Sequence, residues 1–229
     1  MTTRPLLRSS ASSLPLLLAL ATGLVGCGGT QRRTTTAPPT HAPPRPAVTA
    51  SARPPAPAVV DEGAVEAIDG SPAMARGRAK LPRLNAERAE RCSALREPAR
   101  AAARRHALDP ATLLAIAWVE SGFAVGARSS AGARGPMQLL PATARAFGCD
   151  DPQEDDCALE AAAAFLARLL QRFDGVEIDA IAAYNTGATR VARARRAGRL
   201  PPNQWYVERV LAARALLRRQ GCREGLGGS

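Results

Sequence analysis

Glu120 is the residue whose type and setting point to chemistry. It closes an apolar run, Leu113-Leu114-Ala115-Ile116-Ala117-Trp118-Val119, at the end of a predicted helix. A carboxyl beside Trp118 and Val119 at a helix C-terminus is held in its neutral form, by burial and by the helix dipole. Such a group can give up a proton and take one back near neutral pH. Other chemistries lack their residues. No Cys-x-x-Cys or Cys/His pattern supports zinc, and no Cys/His pair is placed for nucleophilic catalysis. The carboxylates Asp150, Asp151, Glu154, Asp155 and Asp156 lack the spacing of a calcium loop. They read instead as acids favouring the dipole of the next helix. No metal and no cofactor is expected. His41 is assigned no role, and His106 reads as a helix-end residue.

The elements that must hold Glu120 are helical. Aromatic residues make up 3% of the chain, and Ala, Leu and Arg dominate, so an all-α domain is expected. Residues 83–229 form it, with helices expected over 85–96, 98–106, 111–121, 158–173, 178–184, 186–197 and 203–220. Asp109-Pro110 is a start signal, Asp as cap and Pro at the first position. Gly122 is placed to end that helix. A turn segment, Ser129 to Gly135, follows. Pro141-Ala142-Thr143-Ala144 then opens a short helix that stops at Gly148.

Upstream, residues 1–26 read as an export signal. Arg4 and Arg8 precede an apolar run, Leu14 to Leu24, too short to span a bilayer as a stable helix. Leu24-Val25-Gly26-Cys27 resembles the bacterial lipoprotein box, which implies a lipidated Cys27 as the mature first residue and a membrane anchor. Gly28 follows, which points to the periplasmic face of the outer membrane. Residues 27–82 carry Pro38-Pro39, Pro43-Pro44 and Pro54-Pro55 among Ala, Thr and Arg. That composition predicts a disordered tether with extended stretches, with only a weak helical tendency over 61–68. The net charge is +11. It is spread over both parts, as a solvated basic surface or one drawn to an anionic wall polymer or lipid would be. A nucleic-acid binder would need a known motif or interleaved aromatics, and neither is present.

Apart from Cys27 there are four cysteines: Cys92, Cys149, Cys157 and Cys222. An exported chain is oxidised, so they are expected to pair. Three pairings are open. The short loop favours Cys149–Cys157, which leaves Cys92–Cys222 to staple the first helix to the last.

Four separated blocks carry a family resemblance over about residues 98–218. They are Glu120-Ser121; Gly132-Ala133-x-Gly135-x-Met137-Gln138-Leu139-x-Pro141-x-Thr143-Ala144; Ala183-Tyr184-Asn185-x-Gly187; and Tyr206-Val207. Together they resemble the soluble lytic transglycosylase family. The resemblance implies a lysozyme-like α domain that cleaves peptidoglycan glycan strands; a monomer is expected. Glu120 would act as general acid and then base between N-acetylmuramic acid and N-acetylglucosamine, giving 1,6-anhydromuramoyl ends. Gln138 would hydrogen-bond the glycan. Ser129 would bond near Glu120 or an acetamido group. Tyr184 would set its hydroxyl by the catalytic carboxyl, Asn185 would hold the adjoining backbone or sugar, and Tyr206 would line the cleft or pack under it. Ser121 reads as structural support. Two departures stand out. Pro136 replaces the usual Leu before Met-Gln, and Pro202-Asn203 stands where the family often has Glu-Thr. The rival readings are a lysozyme-like muramidase, from the same fold and acid, and a wall-binding lipoprotein that does not turn glycan over.

Overall fold

The computed structural model describes residues 71–228. The expected export signal, Cys27 and the tether as far as residue 70 lie outside them. The helix Pro110–Ser121 (α4) is the axis of the fold. Asp109 caps it, its Oδ1 accepting from the Ala111 amide at 3.0 Å, and Pro110 occupies the first position, where an amide would go unused. Every residue from Thr112 to Trp118 is buried. The helix stops because Gly122 enters the left-handed region at φ 63°. The amides of Gly122 and Phe123 then cap the Trp118 and Ala117 carbonyls.

Around α4 stand Ala86–Ala94 (α2), Arg96–His106 (α3), Pro141–Ala146 (α5), Asp155–Arg172 (α6), Glu177–Thr186 (α7), Ala188–Arg196 (α8) and Gln204–Gln220 (α9). The long helix α9 lies against α4 and α7, and α6 packs on α3 and α7. Among the described residues there is no strand. Two isolated antiparallel bridges, Arg128 with Arg134 and Arg134 with Leu139, shape the turn segment. The break expected at Glu97-Pro98 falls two residues earlier, at Leu95, which ends α2 and begins α3. Pro98 therefore sits in the first turn, where it removes no helical hydrogen bond.

One boundary moves. Residues 72–79, assigned by composition to the tether, form a further helix, Pro72–Ala79 (α1), which packs along α9. Ser71 caps it, and Met74 is 4% exposed. The signal was weak because α1 buries only Met74 and Gly77. Its other residues read as surface. The folded unit is closed by its own ends. Leu84 and Leu226 exchange backbone bonds through neighbouring residues, Leu84 N to Leu226 O and Gly225 N to Leu84 O, each 2.7 Å. The Gly228 amide reaches the Leu81 carbonyl at 3.1 Å. The bridges are Cys92–Cys222 and Cys149–Cys157, the pairing that loop length favoured. The acidic loop behaves as a helix start. Asp155 and Asp156 lie in the first turn of α6, and Asp155 takes Arg91 Nη2 at 2.8 Å.

Gly77 is where α1 touches α9 most closely. A Cβ there would stand 2.4 Å from the Glu208 carbonyl oxygen. Gly77→Ala should therefore lift α1 from α9 and cost about 1–3 kcal/mol, the range for overpacking. Urea denaturation checks this, and an unchanged midpoint would mean that the contact yields freely.

Candidate active site

Glu120 sits in the last turn of α4, and its neighbours fix that turn. Ser121 Oγ lies 2.9 Å from the Pro136 carbonyl, to which it donates, and accepts from the Ala124 amide at 3.1 Å. The helix end is thus tied to the turn segment, which gives Ser121 its supporting role.

The turn segment is a compact backbone construction. Ser129 is exposed, and its Oγ accepts from the Ala133 amide at 3.0 Å. Gly135 has φ 72°, and a Cβ there would lie 1.7 Å from the Pro152 carbonyl oxygen, so no other residue fits. Gln138 holds the next corner with a positive φ of 46°. Its Nε2 donates to the carbonyls of Gly135 at 2.9 Å and Ala127 at 3.2 Å. A non-glycine residue in this region costs free energy and persists where its surroundings enforce it. Here two side-chain hydrogen bonds do so. Pro136 is buried, and its carbonyl serves Ser121.

Helices α7 and α9 complete the site. Tyr206 is 1% exposed and donates its hydroxyl to Glu120 Oε1 at 2.7 Å. Tyr184 donates to the Met137 carbonyl at 2.9 Å. Its ring lies tilted against Phe165 at a centroid distance of 5.3 Å, and Phe165 lies tilted against Phe147 at 5.4 Å. The two tyrosines thus divide the work otherwise than expected. Tyr206, read as lining or packing, bonds the carboxyl directly. Tyr184, expected at the carboxyl, anchors the Met137 backbone and lies close enough to feel the Glu120 charge.

Two residues escaped the sequence reading. Asn203 is 5% exposed, and its Nδ2 donates to Asn185 Oδ1 at 2.9 Å and to the Ala182 carbonyl at 3.1 Å. Holding the oxygen of the Asn185 amide turns its nitrogen towards Glu120, to which Asn185 hydrogen-bonds. Arg209 places positive charge near the same carboxyl. It lies three residues after Tyr206, on the same helical face, so the spacing was a usable signal once Tyr206 was placed. Asn203 gave no such signal, because its partner comes from another helix.

Burial raises the Glu120 pKa from its ordinary value of 4.5 to about 7. The Tyr206 hydroxyl, the Arg209 charge and the Asn185 amide all oppose that rise. The group is therefore divided between acid and base near neutral pH, and three fixed partners receive its anion. Burial and the Glu120 charge in turn push the Tyr206 hydroxyl well above the usual phenol range, so it stays a donor.

The folded protein holds the Glu120 proton more tightly than the unfolded chain does. Stability contributed by this group is therefore full below pH 4.5 and lost as pH rises towards 7. Glu120→Gln removes that penalty. It should stabilise the protein at pH 8 by on the order of 1–3 kcal/mol, allowing for partial solvent screening, and change little at pH 4. Thermal melts at the two pH values test this. Equal shifts at both would rule out the raised pKa.

Residues 97–204 match the family model described as the transglycosylase SLT domain. Over 83 residues the chain is 43% identical to the peptidoglycan transglycosylase gp16 of Escherichia phage T7, covering 33% of this chain and 6% of that one. Over 113 residues it is 34% identical to the membrane-bound lytic murein transglycosylase F of Desulfosudis oleivorans, covering 45% and 25%. Among solved structures it resembles the lytic transglycosylase Slt of Pseudomonas aeruginosa, with a TM-score of 0.50 and 27% identity over 58% of this chain and 25% of that one. That enzyme was solved as an inactive mutant with glutamate replaced by glutamine. The chain therefore spans a quarter or less of the length of each of these relatives. The matched segment contains Glu120, the turn at Gly135 to Gln138, Tyr184 and Asn185, in the mostly helical fold of the matched solved structure. Residues 97–204 of the chain thus carry a transglycosylase SLT domain.

Proposed function

We propose that the protein is a peptidoglycan lytic transglycosylase with Glu120 as its single acid and base. The observation that carries this reading is the buried Glu120 carboxyl, with a pKa near 7, bonded by Tyr206. The inactive glutamate-to-glutamine form of the Pseudomonas enzyme and the murein transglycosylases among the relatives support it.

In this reading protonated Glu120 gives its proton to the glycosidic oxygen between N-acetylmuramic acid and N-acetylglucosamine. The C1–oxygen bond breaks, and charge develops on the muramoyl C1. The muramoyl 6-hydroxyl oxygen then bonds C1 and passes its proton to the Glu120 carboxylate. The acid is regenerated, a 1,6-anhydro ring closes and no water is consumed. Two-carboxylate glycosidases need a second group to activate water or attack the sugar. Here the groups acting on Glu120 are Tyr206, Arg209 and Asn185. They steady the transient carboxylate without replacing it, which fits internal capture by the substrate. Ser129 and Asn185 are exposed and are the natural contacts for the glycan. Gln138, Tyr184 and Tyr206 would shape the cleft behind them.

The test is full-length protein on purified sacculi beside Glu120→Gln, with the released products weighed by mass spectrometry. Muropeptides one water lighter than ordinary ones, absent with the variant, are expected. Products of ordinary mass would make the protein a muramidase. Binding to sacculi without release would make it a wall-binding protein.

The same reading places the protein at the periplasmic face of the outer membrane, held by lipid on Cys27. The relative from Desulfosudis oleivorans is membrane-bound. Among the described residues no helix is long and apolar enough to cross a membrane. Cys27→Ser should shift the protein from the membrane pellet to the soluble fraction. Unchanged pelleting in high salt would remove the lipid anchor from the account.

A further inference from the structure

Beside the Glu120 site lies a pocket of about 350 Å³ lined by Arg76, Gly77, Lys80, Trp205, Glu208 and Arg209. All six residues fall outside the segment 97–204 that matches the family model. They come from α1, its C-terminal cap residue Lys80 and the start of α9, so the pocket exists because α1 is folded.

Its chemistry is defined by three features. Trp205 stands at its wall, 55% exposed, a large apolar ring left open to solvent. The Arg209 guanidinium lies over that ring, with its carbon 5.8 Å from the centroid. Arg209 Nε is buried and makes no hydrogen bond. Arg76 is occupied by Glu208 at 2.8 Å, whereas Lys80 is exposed. With that pair neutral, the remaining charge is that of Lys80 and Arg209. A cationic pocket with one flat apolar wall fits an anion attached to an apolar skeleton.

The pocket is one side chain away from the reacting carboxyl. The Trp205 ring meets Tyr206 edge-on at 5.9 Å, and Tyr206 holds Glu120. Arg209 acts on both sides, over Trp205 and on the Glu120 charge. A strand whose sugar reaches Glu120 also carries a substituent that could enter this pocket, which shares Arg209 with the carboxyl. In peptidoglycan that substituent is a peptide with free carboxylates.

We propose that the pocket between α1 and α9 binds the carboxylate-bearing peptide arm of the substrate strand, with Lys80 and Arg209 meeting the carboxylate and Trp205 covering the adjoining apolar atoms. The proposal rests on the peptidoglycan reading above. It has a consequence for the reaction. An anion on Arg209 offsets that residue's pull on Glu120, so a peptide-bearing strand favours the protonated acid that begins cleavage.

Two experiments with the full-length protein separate the pocket from the catalytic reading. In a Glu120→Gln background, an N-acetylmuramoyl dipeptide is titrated while tryptophan fluorescence is followed, beside the same compound with its carboxylate amidated. The free acid should give a saturable change that is lost in Trp205→Phe. Amidation, or Lys80→Glu, should weaken binding about tenfold, as loss of a charge-assisted contact does. Equal affinity for acid and amide, or a signal that survives Trp205→Phe, overturns the proposal. In the second experiment, release from intact sacculi is compared with release from sacculi stripped of peptides. Lys80→Glu should slow release from the intact wall only, and equal slowing on both, or on neither, overturns the proposal. If the unaltered protein releases nothing from either wall, the transglycosylase reading fails and the titration alone decides the pocket.

Discussion

The hydrogen bond from Tyr206 to Glu120, 2.7 Å long, is the contact on which the site depends. A carboxyl taken out of water is costly to ionise unless its charge meets fixed donors. Burial raises the Glu120 pKa, and Tyr206, Arg209 and Asn185 stop it from rising further. The balance of these effects sets the group near neutrality. It requires three elements to converge: the end of α4, the end of α7 and the first turns of α9. Much of the remaining structure can be read as fixing those three positions. Gly122 and Ser121 hold the first, Asn203 the second, and the packing of α9 on α4 and α1 the third.

What the sequence conveyed follows from how local each signal is. The course of α4 was legible because Asp109, Pro110 and Gly122 act within one turn of themselves, and the all-apolar run between them needs a buried helix. Glu120 was legible in part for the same reason, from the apolar run before it, and in part from the downstream blocks of the resemblance, whereas its own partners come from α7 and α9. The turn at Gly135 could be recognised as a turn, but the need for glycine there arises from Pro152, seventeen residues away. The roles of the tyrosines were harder. Each makes one hydrogen bond, to a partner 47 or 86 residues distant, and nothing near Tyr184 or Tyr206 says which partner it meets. Asn203 and α1 were missed because both draw their meaning from contacts made by other helices. An eight-residue helix with two buried positions has too little pattern to stand out from a Pro- and Ala-rich stretch.

The family segment and the folded unit differ in extent. The segment 97–204 holds Glu120, Tyr184 and Asn185 but ends at the start of α9. Tyr206 and Arg209, which complete the electrostatics of the carboxyl, come from beyond it. So do α1, the paired stretches 81–84 and 225–228, and the Cys92–Cys222 bridge. The flanking parts are thus components of the site, because they determine where α9 lies.

That arrangement also makes a load path. Any tension along the chain that precedes residue 71 enters the folded unit through α1. It is then delivered sideways onto α9 through the Gly77 contact and the Arg76–Glu208 pair. Two residues before Glu208 on that helix is Tyr206, the donor to the Glu120 carboxyl. The Cys92–Cys222 bridge and the backbone pairing of Leu84 with Leu226 brace the far end of α9. A pull would therefore strain the helix against a fixed end instead of peeling it away. The helix that receives α1 is thus also the helix that carries the donor to Glu120.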